Sequence, residues 1–388
     1  MSKRLEAEVW ALDNCAGCGL CVSACSKQVL VWGEVDHPEL RQPIKTVGYT
    51  KNVLDSCTFC EQFCEEVCPR LEHLPPYEAR LIKAAKAQGP VLTGEPNGVI
   101  LGILAAGRSA GLIDGAVMLD FDPWKLEPVV RVASTVEDIV DSLGPQYLWA
   151  PVLDSLNQAI FDWGMENLAV VGTPCTAQAI RKLKDSTNPR LKPYQDAVRL
   201  VISNFCTGVY KPEMIQEVVI KEMGVPKDAI RRIETTAGHD GIKVILWDKS
   251  EKTIGRNKVE RFTRSGCGSC DDYLGTSADI AVGYLGAGEE ASTLMVYSSV
   301  GDVFTRNAIR MNLLEVTDKV DLELLKAAAD EKGRRERAQE LKDFRVLMLD
   351  AMADPLKRGE AIQQFVRLYR TPTRSKPQEA VRNGCTGC

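Results

Sequence analysis

CAGCGLCVSAC at residues 15–25 and CTFCEQFCEEVCP at residues 57–69 put eight of the chain's fourteen cysteines into two tight runs. The spacings are Cys15-x2-Cys18-x2-Cys21-x3-Cys25 and Cys57-x2-Cys60-x3-Cys64-x3-Cys68-Pro69. An iron–sulfur cubane needs four converging thiolates, and a short loop delivers three of them at little entropic cost. The fourth then comes from elsewhere in the chain. Structural zinc prefers paired C-x2-C arms with a longer gap between them, which four cysteines within eleven residues match poorly. Tetrahedral sulfur ligation by itself does not separate zinc from iron–sulfur. Disulfides belong to oxidising compartments, and nothing in the chain has the pattern of an exported protein. Electron transfer is the expectation.

The two runs resemble those of bacterial-type ferredoxins, in which the last Cys of each run ligates the other run's cluster. That resemblance implies one [4Fe–4S] cluster on Cys15, Cys18, Cys21 and Cys68 and a second on Cys57, Cys60, Cys64 and Cys25. Two positions depart from the pattern. Ser26 stands where Pro is usual, and one extra residue separates Cys60 from Cys64. The extra residue is expected to bulge its loop without removing a ligand.

At 388 residues the chain exceeds the size at which one core keeps growing, so two or three domains are expected. Its 45% hydrophobic and 26% charged content is that of an ordinary globular protein. The opening MSKRLEAEVWALDN has no apolar run suited to a signal peptide, and no stretch has the apolar length of a transmembrane helix. A cytoplasmic protein is expected, with peripheral attachment to the inner membrane face through a partner complex as the other option. A net charge of −5 leaves no nucleic-acid footprint. His37, His73 and His239 have no partner at ligand spacing and read as packing or surface residues.

Residues 1–72 read as a two-cluster module whose stretch Val31–Asn52 has room for a hairpin, and residues 73–80 as a linker around Pro75-Pro76. From residue 81 to 320 the texture is that of a core with alternating strands and helices. Val99–Leu112 and Asp154–Trp163 are expected to be helical. Leu168–Val171 is read as a buried strand leading into a helix at Ala177–Lys184, and Leu200–Ser203 repeats the strand-then-Cys arrangement. Ile242–Trp247, Ala278–Val282 and Thr293–Ser298 are further strand candidates. The class is α+β with an α/β-like core built on a mixed sheet. Residues 321–370 form a charged helical region whose Glu, Asp and Arg interleave at supporting i,i+4 spacing. Residues 371–388 are a polar tail.

Cys175, Cys206, Cys267 and Cys270 are spread over almost a hundred residues, yet each follows a strand or sits in a Gly/Ser-rich turn (GTPC, SNFCTG, SGCGSC). Loops at neighbouring strand ends converge at one sheet edge, so the four thiols have a way to meet. From the residues alone a third cluster, zinc and unligated buried thiols all stay open.

The segments GTPCTAQAIRKL (172–183), NFCTG (204–208) and CGSCDDYLGTSADIAVGYLGA (267–287) resemble the family of beta subunits of coenzyme F420-reducing hydrogenases and dehydrogenases. GEPNGVILGILAAGRSAGLIDGAV (94–117) is similar to that family's glycine-led helix, with Asn97 in place of a Gly, and SLGPQY (142–147) to its G-S-K-Y segment, with Gln146 in place of a basic residue. The fused two-cluster module resembles the F420H2 dehydrogenase subunit of respiratory complexes. The similarity spans roughly residues 10–310. It implies a [4Fe–4S] cluster on Cys175, Cys206, Cys267 and Cys270 beside FAD, with Gly94, Asn97, Gly98, Gly144, Gln146 and Tyr147 as candidate FAD contacts.

The sequence itself does not display a flavin site. No G-x-G-x-x-G opens a helix after a strand, and GYLGAG (283–288) has its glycines in the wrong order. Gly94 and Gly98 ahead of a helix suit either a phosphate approach or a plain turn. The family's activity implies a flavin taking hydride from coenzyme F420 and releasing electrons singly to clusters. An anionic deazaflavin needs a basic approach, for which Lys258, Arg261 and Arg264, with Lys243 and Arg256, are candidates; a solvated strand face accounts for them equally. The partners implied are other redox subunits of a hydrogenase, dehydrogenase or respiratory complex. Two alternatives stand beside this reading. One is a ferredoxin-dependent reductase of a tetrapyrrole or similar substrate, which the family includes, and the other is an electron-transfer adaptor without catalysis. Cys385 and Cys388 are left over, as loose thiols, half of a shared metal site, or a regulatory disulfide.

Overall fold

The computed structural model describes residues 3–33, 35–41, 45–46, 49–50, 60, 62–89, 92, 97–142, 144, 147–235, 241–288, 291–336 and 359. Two short antiparallel ladders occupy the stretch expected to hold a hairpin. They are β1 (Leu30–Trp32) with β2 (Pro38–Leu40), and β3 (Lys45–Thr46) with β4 (Tyr49–Thr50). Residues 3–10 are helical and turn Leu5, Val9 and Trp10 onto Leu30 and Leu71, against which Cys15, Cys21, Cys25, Cys64 and Cys68 pack.

The core is one eight-stranded sheet. Its members in chain order are β5 (Leu81–Ala87), β6 (Gly115–Asp122), β7 (Glu127–Ala133), β8 (Leu168–Gly172) and β9 (Val198–Asn204), then β13 (Ile280–Gly283), β14 (Ser292–Val296) and β15 (Leu314–Thr317). The spatial order is β15-β5-β14-β13-β9-β8-β6-β7. β13, β9, β8 and β6 run parallel, and the flanking strands pair antiparallel. The parallel centre is where apolar runs are longest: every residue of Leu-Ala-Val-Val-Gly in β8 is buried, as a strand covered on both faces requires.

Both faces are covered. Leu168 and Val170 point to one side and Ala169 and Val171 to the other, the period of two that a strand imposes. A register shift in the β8–β9 ladder skips Arg199, so Val198 and Val201 share a face despite their odd spacing. On one side lie the apolar helix Gly98–Ser109 and the helix Ser299–Arg310. On the other lies the helix Pro174–Asp185, with Ala177, Ile180 and Leu183 inward. Leu20, Ala24, Phe63 and Val67 from the first seventy residues pack into this same cluster with Val152, Leu153 and Leu156. The cysteine runs are thus seated directly on the core.

The segment expected as one helix from Asp154 divides into a tight turn, Val152–Ser155, and a wider helical turn, Gln158–Asp162. A separate antiparallel meander of β10 (Ile230–Thr235), β11 (Gly241–Leu246) and β12 (Glu251–Gly255) packs Ile233, Val244 and Ile254 on Val218 and Val219. A helix over residues 322–336 buries Leu325, Ala329 and, against type, Lys332. No helix among the described residues is long and apolar enough to cross a membrane.

Candidate metal centres

The first run is a sequence of tight turns. Gly17, with φ +71°, directs its N–H to the Cys15 sulfur at 3.4 Å, and Val29 N–H does the same for Cys25 at 3.4 Å. Cys21 lies among Cys18, Cys15, Cys68 and Cys64, and Cys64 also lies beside Cys25 and Cys60. The two runs thus face each other, with Cys57 outside the described residues, and the division of their sulfurs into two crossed groups rests on the ferredoxin resemblance. Burial pushes the Cys68 thiol up to about 11 and the Cys64 thiol to about 12. Thiolates in such surroundings need a nearby cation or metal. Ser26, the departure from Pro, brings its hydroxyl to 4.0 Å from the Cys60 sulfur.

The dispersed set also converges. Cys175 sits in the first turn of the helix Pro174–Asp185, directly beyond the carboxyl end of β8. Cys206 lies beyond the carboxyl end of neighbouring β9. Open sheets place ligands at that edge. Cys267 ends the tight turn Ser265–Cys267, and Cys270 is buried three residues on. All four line one cavity. The loop after Cys270 is held by Asp272, whose carboxylate accepts from the N–H groups of Gly275 (2.8 Å) and Thr276 (3.2 Å). That loop returns the Tyr273 carbonyl to the Cys206 N–H at 3.0 Å.

Two cations line the same cavity. Lys332 is buried, and Cys270, Cys206 and Cys267 outweigh the burial that opposes its charge, raising its pKa. Arg70 donates to the carbonyls of Ser269 (3.1 Å) and Gly266 (2.9 Å) and lies beside Cys270, Cys175 and Cys267. Among the described residues no group of three or more His, Cys, Asp or Glu is gathered to hold a single metal ion. A cubane carries its irons on separate corners and takes thiolates at wider spacing. Its four thiolates would leave net negative charge, which Lys332 and Arg70 are placed to offset. The donor set fits a cluster.

The two regions meet at the loop Ala16–Cys18. Gly17 and Cys18 line the cavity of the dispersed set, the Cys175 sulfur lies 3.7 Å from the Ala16 carbonyl, and Leu153 N–H donates to the Cys18 carbonyl at 2.9 Å. Trp149 Nε1 donates to the Gly17 carbonyl at 2.9 Å.

The other expected contacts scatter more widely. Gly94 and Gln146 lie outside the described residues, as do Cys385 and Cys388. Asn97 is left-handed (φ 73°) at the start of the helix Gly98–Ser109 and donates its N–H to the Tyr284 hydroxyl at 2.8 Å. Gly98 has no room for a side chain: a Cβ would lie 2.4 Å from the Leu92 carbonyl. Gly144 N–H donates to the Leu119 carbonyl at 2.9 Å. The Tyr147 hydroxyl is buried with no hydrogen-bond partner among the described residues. Lys258 is exposed on the helix Arg256–Val259, where a strand face had been the alternative. Arg261 is exposed and pairs with Glu222. Arg264 is buried and turned toward Cys15, so it joins neither. Sequence reasoning missed Arg70, Trp149, Asp272 and Lys332. Arg70 carried a signal in its place directly after Cys68-Pro69, and Asp272 in its place after Cys270.

Residues 14–70 match the 4Fe-4S dicluster domain. Residues 82–157 and 165–321 match the N-terminal and C-terminal models of the coenzyme F420 hydrogenase/dehydrogenase beta subunit. An uncharacterised protein of Methanocaldococcus jannaschii is 31% identical over 86% of this chain and 97% of its own. A subunit of the F(420)H(2) dehydrogenase of Methanosarcina mazei is 28% identical over 87% of this chain and 95% of its own. In fold, the chain is similar to one in the F420-reducing [NiFe] hydrogenase complex of Methanosarcina barkeri, with a TM-score of 0.62 at 23% identity, covering 69% of this chain and 93% of that one.

Proposed function

The chain belongs to the family of coenzyme F420 hydrogenase/dehydrogenase beta subunits and carries an iron–sulfur dicluster domain, and from that premise we infer an iron–sulfur flavoprotein oxidoreductase. It exchanges hydride between coenzyme F420 and FAD and routes single electrons through three [4Fe–4S] clusters to or from a partner complex. The observation that carries the inference is the convergence of Cys175, Cys206, Cys267 and Cys270 on a cavity walled by Gly17 and Cys18.

FAD, when bound, accepts the hydride as a two-electron unit and returns electrons singly, which is the conversion one-electron clusters require. Cys15, Cys18, Cys21 and Cys68 hold one cluster, Cys25, Cys57, Cys60 and Cys64 the second, and the dispersed four the third. Arg70 and Lys332 offset the charge of the third. Asn97, Gly98, Gly144 and Tyr147 would border the flavin, and the Tyr147 hydroxyl, without a hydrogen-bond partner among the described residues, would supply a polar contact for it. Lys258 and Arg261, both exposed, receive the anionic tail of the deazaflavin. The protein works in the cytoplasm as a subunit of a larger redox assembly, its contact with any membrane made through that assembly.

Iron and flavin analysis of anaerobically purified protein tests this directly. About twelve irons per chain and bound FAD are expected, with about eight irons removing the third cluster. Reduced viologen should bleach oxidised coenzyme F420 in its presence. Loaded iron without flavin, or flavin without bleaching, would overturn the hydride exchange. Cys267→Ser should lose one cluster and Cys385→Ser none.

A further inference from the structure

Arg264 starts in one cysteine group and ends in another. Its backbone belongs to the turn before Cys267: the Arg264 carbonyl accepts from the Cys267 N–H at 3.0 Å, and its N–H donates to the Val209 carbonyl at 3.0 Å. The side chain, 2% exposed, runs across Gly17 and places its charge on the Cys15 sulfur. The guanidinium carbon lies 4.1 Å from the centroid of the Trp149 ring, and Trp32 closes edge-on against Trp149 at 5.2 Å. Gly17 makes this path possible, since a Cβ there would sit 1.3 Å from Nη1.

The guanidinium is underused by the protein. Nη2 donates to the Asp36 carbonyl and the guanidinium faces the Cys15 sulfur, while Nε and Nη1 have no oxygen or nitrogen acceptor among the described residues. The Asp36 carboxylate is engaged by Lys211 at 2.7 Å. A buried cation with unspent donors persists only beside negative charge. Packing alone explains the Trp149 stack, but an apolar side chain would fill that slot without the desolvation cost of a charge.

We propose that Arg264 sets the electron balance between the two inner clusters, donating from Nε and Nη1 to the sulfur face of the cluster on Cys15, Cys18, Cys21 and Cys68 and stabilising its reduced state. The proposal rests on the three-cluster reading above. Arg264 makes it more favourable for one electron to leave the cluster on Cys175, Cys206, Cys267 and Cys270, oxidising it, and to reduce the Cys15-held cluster, with no proton moving. Its effect is read in potentials.

The test is an anaerobic redox titration, followed by electron paramagnetic resonance, of the cluster-loaded full chain as wild type, Arg264→Gln and Arg264→Lys. The Cys15-held signal is identified by its loss in Cys21→Ser and the core signal by its loss in Cys206→Ser. In Arg264→Gln the balance between the two should move toward the core cluster by roughly tenfold, about 59 mV for a one-electron couple, and Arg264→Lys should restore most of it. Should Arg264→Gln lose iron from the Cys15 group, full loading and wild-type potentials in Arg264→Lys would still support the role of the charge. Unchanged potentials in a fully loaded Arg264→Gln protein, or equal iron loss in both variants, would overturn it. A wild-type chain with only about eight irons would instead fail the three-cluster reading, before any variant is compared.

Discussion

Lys332 Nζ donates to the Cys206 carbonyl at 2.6 Å, tying the helix over residues 322–336 to the loop beyond β9. At 6% exposure the ammonium is buried, and a lysine is buried only where opposite charge repays its dehydration. Lys332→Met should therefore cost about 2 kcal/mol of stability, the range for hydrogen bonds to charged groups. On the three-cluster reading it should also lower the reduction potential of the core cluster. Denaturant unfolding and a redox titration read the two effects separately, and a variant as stable as wild type with the same potential would remove Lys332 from the site.

Asp272 organises the turn that carries Cys270, accepting from Gly275, Thr276 and the Gln178 amide (3.3 Å). Asp272→Ala leaves buried donors unsatisfied and should cost about 1–3 kcal/mol. The expected readout is lower stability together with loss of four irons of the total, the content of one cubane. Loss of stability with all iron retained would mean that the turn does not depend on Asp272.

Leu20, Phe63 and Val67 are buried in one cluster with Leu153, Leu156 and Ile180. Leu20→Ala should destabilise the chain by about 2–5 kcal/mol. Because that cluster belongs to both regions, a calorimetric scan should show the cysteine runs and the sheet melting together. A chain shortened to begin at Leu81 should aggregate through the exposed Leu153 face. Two separate transitions in the full chain would show that the regions fold independently.

Glu72 pairs with Lys182 at 3.0 Å, with the Lys182 side chain 6% exposed and that of Glu72 67%. The Lys182 hydrogen bond and charge lower the Glu72 carboxyl below its usual value. A carboxyl depressed in the folded state adds stability above its unfolded pKa, and that stability is lost as pH falls through the folded value. The open side of the pair limits the effect to about 0.5 kcal/mol. The difference in melting temperature between wild type and Glu72→Gln should be visible at neutral pH and should close on acidification below the carboxylate range. A difference that persists there would assign the effect to packing.

The N-terminal dicluster domain was legible because the spacing of its cysteines is local, and the strand-then-Cys texture at β8 and β9 pointed to a shared sheet edge before any strand order was known. Leu81–Ala87 was not read as a strand. LIKAAKA is made of helix formers, and pairing with β14 and β15 overrides that preference. Lys332 was hidden because its helix has a Glu–Arg pattern that reads as solvated, and only tertiary packing turns one lysine toward sulfur. Arg264 was read as part of an open basic approach. It lies three residues before a cysteine, and nothing local distinguishes a side chain that folds back across Gly17 from one that faces solvent.

Cys18 and Cys175 line one cavity, with only the Ala16–Cys18 turn between the groups they belong to. On the three-cluster reading, a charge crossing that turn passes where the Cys175 sulfur lies 3.7 Å from the Ala16 carbonyl, so the inner hop is short compared with docking, hydride transfer or release. Turnover is then governed at the extremities of the chain of carriers, where the deazaflavin arrives and where the partner complex takes over. Altering that partner surface would change the observed rate.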